Sequence, residues 1–100
     1  MQIEITGRRM TTSSYLRSLV NQKLGRIFRH LSDAGLSAAV IVSREKLDKL
    51  VEVTVHARGE HFLHAVGNGP TWQFASTVVT EKLDRQARKL KGKWKDRRRR

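Results

Sequence analysis

The 100-residue sequence contains no cysteine, which excludes a disulfide framework, a thiolate nucleophile and a zinc site with thiolate ligands. Its longest uninterrupted apolar run is residues 38–42, far too short to cross a membrane. The first residues alternate between polar and apolar and lack the apolar core of a signal peptide. These absences predict a cytoplasmic protein with no membrane partner.

Acidic residues are also scarce: nine Asp and Glu stand against 21 Lys and Arg, which gives a formal net charge of +12. The acids are scattered, and the sequence holds neither a nucleophile motif nor a phosphate-binding glycine loop. His56, His61 and His64 are close in sequence, but two of them point to opposite faces of a predicted strand. We therefore predict no catalytic residue, no metal site, no cofactor and no enzymatic activity.

The most informative stretch is residues 71–95, which we interpret as one long helix with two unlike faces. At about 100° per residue, one stripe of the helix is apolar. It comprises Trp72, Ala75, Val79, Leu83, Ala87, Leu90 and Trp94. Arg85 and Arg88 fall on the opposite side, with Lys82 and Lys89 nearer the border. Both tryptophans share the phase of the stripe, which favours core packing over base stacking.

Positive charge is concentrated in and after this helix. Residues 82–100 hold 11 Lys or Arg against two Asp, a net of +9 out of the +12 of the chain. One interpretation is an ordinary solvated surface, since Glu81 and Asp84 can pair with Arg85 and Arg88 at a spacing of four residues. The other is a surface for a polyanion, because such a density of one sign repels itself unless it is neutralised.

The rest of the chain predicts a scaffold for this helix. Alternation indicates strands at residues 2–6, 50–57 and 61–66, and the apolar segment 37–43 is typical of a central strand. A helix follows the candidate capping hydroxyls of residues 11–14 and ends near Leu31. The charged segment 44–49 is predicted to connect two strands, and residues 67–70 break the alternation of the last strand.

The predicted fold is α+β, in the order β-α-β-β-β-α. A four-stranded sheet with two helices packed on one face buries every apolar stripe. Residues 1–95 form a single domain, and residues 96–100 form a basic disordered tail.

Three polyanions fit a basic surface, and the sequence favours structured RNA among them. A lipid-binding helix would turn its apolar face to the bilayer, but this helix needs that face for the core. The sequence shows no DNA-reading motif. Phosphate contacts from a rigid surface suit structured RNA, where shape dominates recognition. A general RNA- or DNA-binding module of the same fold remains the alternative.

The chain resembles the ribosome hibernation-promoting factors, the short S30EA-type proteins of the sigma-54 modulation family. The similar segments are MQIEITGR, VIVSREKL, VEVTVHARGE and EKLDRQARKLKGKWKDR, in the same order and spacing. The departures lie at residues 70–74, where the family has an acidic helix cap, and in the first helix, which has no acid. The resemblance implies a fold like that of a double-stranded-RNA-binding domain.

By that resemblance, the protein would bind 16S rRNA on the small ribosomal subunit, within the 70S ribosome, and occupy the channel used by mRNA and tRNA. It would silence or preserve idle ribosomes in the stress response or stationary phase, and a separate ribosome-dimerising protein could assist it. The implied rRNA contacts are Arg8, Lys82, Arg85, Arg88 and Lys89. Charge and expected exposure alone predict four further rRNA contacts: Lys23, Arg26, Lys91 and Lys93.

Overall fold

The computed structural model describes the backbone of residues 2–31 and 34–98, and their side chains as far as Gly92. The elements are β1 (Gln2–Gly7), α1 (Ser14–Leu31), β2 (Gly35–Glu45), β3 (Asp48–Ala57), β4 (His61–Gly69) and α2 (Trp72–Arg98). The strands form one sheet in the order β1-β2-β3-β4, with β1 parallel to β2 and the other neighbours antiparallel. The predicted α+β fold and its element order are confirmed.

Helix α1 begins where the sequence places capping hydroxyls. The Ser13 hydroxyl accepts a hydrogen bond from the backbone N–H of Leu16 at 3.1 Å, which satisfies one of the free donors of the first turn. The buried side of the helix is apolar throughout and comprises Leu16, Leu19, Val20, Leu24, Ile27, Phe28 and Leu31. The spacing of these residues is the reason the helix packs by one stripe.

The core lies between the helices and one face of the sheet. Alternate residues of β3 point toward it, and Val53 is 1% exposed, opposite the equally buried Val40 of β2. Helix α2 contributes Leu83 and Leu90, which are 0% and 7% exposed. Each such apolar side chain stabilises the fold by about 1.5–3 kcal/mol when it is fully buried. The apolar stripe predicted for the long helix is therefore buried, as far as the described side chains extend.

The connection between β2 and β3 is shorter than the sequence predicted. Glu45 pairs with Asp48, so Lys46 and Leu47 alone form the turn, and the predicted connection over residues 44–49 is wrong. Lys46 has a positive φ of 57°, the conformation that tight hairpin turns often require. Neither turn residue is Gly or Asn, so composition gave no sign of a hairpin turn.

Strand β4 continues through the glycines that were predicted to interrupt it. Gly67 and Gly69 lie on the helix-facing side of the strand, and both are buried. A Cβ atom on Gly67 would overlap the carbonyl oxygen of Ala75 and crowd the backbone nitrogen of Val79. These glycines are therefore a site of close strand–helix contact rather than a strand terminator.

Helix α2 has a hydroxyl cap in place of an acidic one. The Thr71 hydroxyl accepts a hydrogen bond from the backbone N–H of Phe74 at 3.1 Å, and Pro70 lies just before it. The helix extends to Arg98, past its predicted end near Trp94. Residues 96–98 are helical where a disordered tail was predicted, and the last two residues of that tail lie outside the described chain.

The face of the sheet opposite the helices is open, and we call it the open sheet face. Its residues alternate with the core residues along each strand. They are Gln2, Glu4 and Thr6; Ser37, Ala39, Ile41, Ser43 and Glu45; Asp48, Leu50, Glu52, Thr54 and His56; and Phe62, His64, Val66 and Asn68. None of these is Lys or Arg. Among the described helices, neither is long and apolar enough to span a membrane.

Candidate nucleic-acid interface

The two helices lie side by side and run in the same direction. Leu24 of α1 lies beside Thr80 of α2 around a small apolar gap. Further along both helices, the Nε2 atom of His30 is 3.1 Å from Oδ1 of Asp84. Their outer sides therefore form one continuous surface, which we call the basic helical surface. Its cationic residues are Lys23, Arg26 and Arg29 of α1, and Lys82, Arg85, Arg88, Lys89 and Lys91 of α2.

Three of the predicted contacts on α2 are freely presented. Arg85, Lys89 and Lys91 are all exposed. Within the part of the chain that the structure describes, none of the three makes an ion pair. Their head groups are therefore hydrated and available to an anion, and Arg26 on α1 is exposed in the same way.

Arg88 is partly neutralised by its own helix. Its guanidinium nitrogen lies 3.0 Å from Oδ2 of Asp84, and this i,i+4 pair was predicted. The Asp84 side chain is only 12% exposed, whereas that of Arg88 is 64% exposed. His30 was not predicted to take part, because helical periodicity gives the face of a residue but not its neighbour on another helix. Asp84 thus contacts His30 of the other helix as well as Arg88 of its own, while Arg88 stays open to solvent.

Lys82 and Lys23 are less free than the sequence suggested. The Lys82 ammonium donates a hydrogen bond to the carbonyl oxygen of Val66 at 2.8 Å, although its side chain is exposed. Lys23 is half-buried and lines the apolar gap between the helices beside Val20 and Thr80. Snorkelling of this kind keeps an ammonium group in water while its methylene stem packs. One of the three N–H donors of Lys82 is therefore occupied, and the stem of Lys23 lies in the gap between the helices.

Arg8 is not brought together with the helical cations. It follows the end of β1, where its backbone N–H donates to the carbonyl of Val42 at 2.8 Å. Its side chain is exposed and lines a depression with Glu4, Thr6 and Ile41, residues of the open sheet face. The side chain of Lys93, another predicted contact, lies outside the described side chains.

The histidines of the β3–β4 hairpin make contacts of their own. The Nε2 atom of His64 is 2.9 Å from Oε2 of Glu52, and the ring of His56 stacks on Phe62 with 4.6 Å between centroids. Among the described residues, no group of three or more His, Cys, Asp and Glu is placed to hold a metal ion. These side chains are accounted for by contacts across the open sheet face.

One tryptophan of the long helix can be placed. Trp72 is partly buried and packs against the core, in agreement with the prediction from its helical phase. The ammonium of Lys49 lies 6.0 Å from the centroid of its ring, at the limit of a cation–π contact. Trp72 therefore serves packing at the start of α2. Trp94 lies outside the described side chains.

Charge divides the molecule into two unlike sides. The basic helical surface carries eight Lys and Arg, whereas the open sheet face carries three Glu, one Asp and neither Lys nor Arg. A fixed surface of this kind neutralises phosphates and orients a rigid polyanion without making or breaking covalent bonds. A rigid scaffold with one cationic side is the arrangement of a protein that binds a polyanion.

The chain belongs to the family described as Sigma 54 modulation protein / S30EA ribosomal protein, whose model matches residues 3–95. Membership of this family makes it a non-enzymatic binding protein. It is 34% identical over 93 residues to the ribosome hibernation promoting factor of Azotobacter vinelandii, covering 93% of this chain and 85% of that one. The factor of the same name from Pseudomonas putida is 33% identical over 93 residues, covering 93% and 89%.

Solved structures share the fold. The ribosomal subunit interface protein of Coxiella burnetii superposes with a TM-score of 0.83 at 29% identity, covering 92% of this chain and 99% of that one. The N-terminal domain of Protein Y from Thermus thermophilus gives a TM-score of 0.80 at 22% identity, covering 90% and 99%. The second likeness concerns the fold alone.

Proposed function

We propose that this protein is a ribosome hibernation factor whose basic helical surface binds the small ribosomal subunit. One observation carries the proposal: the exposed cations of two parallel helices form one side of the molecule, and the opposite side has no Lys or Arg on its strands. Relatives named as ribosome hibernation promoting factors support the same assignment. Residues 1–95 act as a single ribosome-binding domain in the cytoplasm.

The mechanism is steric occupancy. The domain sits between the head and body of the subunit, in the channel of mRNA and tRNA, and contacts phosphates of 16S rRNA. Arg26, Arg85, Arg88 and Lys89 make the main contacts because their head groups are exposed. A bound protein that fills this channel silences the ribosome without turnover, so affinity and lifetime of the complex set its effect.

The geometry favours structured RNA over the other polyanions. The apolar stripe of α2 is buried in the core, so the helix cannot offer it to a bilayer. The exposed cations sit on two adjoining helices rather than at the tip of one recognition helix, which suits phosphates spread over a folded RNA. Sequence-independent phosphate contacts make the binding strongly dependent on salt.

Cosedimentation with purified small subunits at modest salt tests the proposal. We expect the protein to pellet with the subunit and to be displaced when mRNA and tRNA are added together, because they occupy the same channel. Free duplex RNA of the same phosphate concentration is the control competitor. Equal displacement by free duplex would instead identify a general module for double-stranded nucleic acid, and failure to pellet would refute ribosome binding.

A further inference from the structure

Two side chains of α2 fasten the helix to the outer edge of β4. The Gln86 side-chain carbonyl accepts the backbone N–H of His64 at 3.0 Å, and its amide nitrogen donates to the carbonyl of the same residue at 2.7 Å. One helical turn earlier, Lys82 donates to the carbonyl of Val66 at 2.8 Å. At His64 and Val66 the edge of β4 is therefore bonded by side chains of α2.

The spacing of these contacts follows from regular geometry. Residues four apart on a helix are separated by about 6 Å along its axis, and residues two apart on a strand by about 6.8 Å. Lys82 and Gln86 therefore meet Val66 and His64 in turn, with α2 antiparallel to β4. A glutamine side chain presents an N–H and a carbonyl oxygen side by side in one plane. Gln86 therefore bonds to the backbone N–H and C=O of His64 as a residue of a neighbouring strand would.

These contacts also restrain the rotation of α2 about its own axis. The buried stripe opposes rolling through large side chains such as Leu83 and Leu90, but two of its positions, Ala75 and Ala87, contribute only a methyl group. A roll of roughly 20° would move a head group about 6 Å from the axis by about 2 Å, which takes a hydrogen bond out of range. The bidentate pair between Gln86 and His64 opposes such a roll because both of its bonds would lengthen.

We propose that Gln86 is a positioning residue for the basic helical surface. By pairing with the edge of β4, it holds α2 in the rotation that turns Arg85, Arg88 and Lys89 away from the sheet. The effect on binding rests on the proposed function, whereas the effect on the helix does not. Gln86 itself faces the strand and takes no part in contacts with phosphate.

The test is Gln86→Met, which keeps the length of the side chain and removes both hydrogen bonds. Gln73→Met, at an exposed position of the same helix, is the matched control. Residual dipolar couplings should show α2 rotated relative to the sheet in Gln86→Met and unchanged in the control. Amide exchange at His64 should accelerate in Gln86→Met alone. If α2 keeps its rotation in Gln86→Met, the proposal is overturned, whatever the protein binds.

Binding to the small subunit supplies the second measurement. For Gln86→Met we expect about tenfold weaker binding and a log–log salt slope shallower by about one unit, since about one phosphate contact is lost. Gln73→Met should stay within about twofold of the parent chain, the scatter of an exposed substitution. A rotated helix with unchanged affinity and slope would overturn the positioning role. Absence of binding by the parent chain would refute the proposed function instead, and the couplings would still decide the rotation.

Discussion

At the scale of single residues, Asp84 shows how an acid is used inside a basic surface. Its side chain is nearly buried, with His30 on one oxygen and Arg88 on the other. The attraction between this carboxylate and the Arg88 guanidinium is screened less by water than that of a fully exposed pair, because the Asp84 side chain is only 12% exposed. Asp84 therefore joins α1 to α2 through its contact with His30, and it leaves most of the Arg88 side chain open to solvent.

We expect Asp84→Asn to lower the free energy of unfolding by about 1–2 kcal/mol, since the ion pair with Arg88 is lost and the contact with His30 is weakened. Glu81→Gln on the same helix is the control, because it also removes one negative charge but from an exposed side chain. Its effect should stay within about 0.5 kcal/mol. Urea unfolding midpoints measure both, and equal midpoints for the two variants would contradict this role for Asp84.

At the scale of elements, the contact of β4 with α2 depends on a residue without a side chain. A Cβ atom on Gly67 would meet the backbone of Ala75 and Val79, neither of which can move without shifting the helix. Gly25 of α1 differs, since the nearest atom to its added Cβ would be 3.9 Å away, at the end of the Arg29 side chain. The two glycines therefore have opposite consequences for the same substitution.

Gly67→Ala should lower the free energy of unfolding by about 1–3 kcal/mol through overpacking. Gly25→Ala should raise it by about 0.5–1 kcal/mol, because alanine favours the helix and the space is open. Chemical denaturation of the two variants beside the parent chain gives both signs. If Gly67→Ala were as stable as the parent chain, β4 and α2 could not lie as close together as the contacts of Gly67 indicate.

At the scale of the whole molecule, the separation of charge governs association. The chain carries a formal net charge of +12, and eight of its described Lys and Arg residues make up the basic helical surface. A molecule with this distribution is steered toward an anionic partner with its helices leading. The hairpin between β2 and β3 lies outside the basic helical surface, next to the end of β4. Its exposed cations Arg44 and Lys46 therefore serve as a control for a change of net charge alone.

We expect Arg85→Glu combined with Lys89→Glu to weaken binding to the small subunit by more than tenfold and to reduce the log–log salt slope by about two units, one for each lost contact. Arg44→Glu combined with Lys46→Glu changes the net charge equally and should lower affinity far less. Binding isotherms over a series of salt concentrations measure both. Equal losses for the two pairs would mean that net charge alone, and not the basic helical surface, drives association.

The predictions from sequence succeeded where a local pattern has one physical solution. The alternation in Val51–Ala57 fits a strand with one buried face, and the apolar stripe of α2 fits a helix packed by one side. The order β-α-β-β-β-α followed from these patterns. The resemblance to the S30EA proteins rested on short segments such as MQIEITGR, and the family match over residues 3–95 confirms it.

The predictions failed or stopped where the answer depends on a neighbour that is distant in sequence. Gly67 appeared to end a strand because its partner, the backbone of Ala75, becomes visible only after packing. Lys82 appeared to be a free cation because nothing in its segment indicates Val66. Arg8 was grouped with the helical cations by the family resemblance, and the structure places it in a depression lined by residues of the open sheet face.

The sequence by itself determined the order of the elements, the buried stripes and the sign of the charge. Each of these depends on the composition of a short segment and on residues only a few positions apart in the chain. Tertiary structure alone decided which cations remain free for an anion. It brought His30 to Asp84 and Gln86 to His64, across 54 and 22 residues of chain. The physical reason is that a hydrogen bond or an ion pair acts over a few ångströms, so its partner is chosen only when helices and sheet pack.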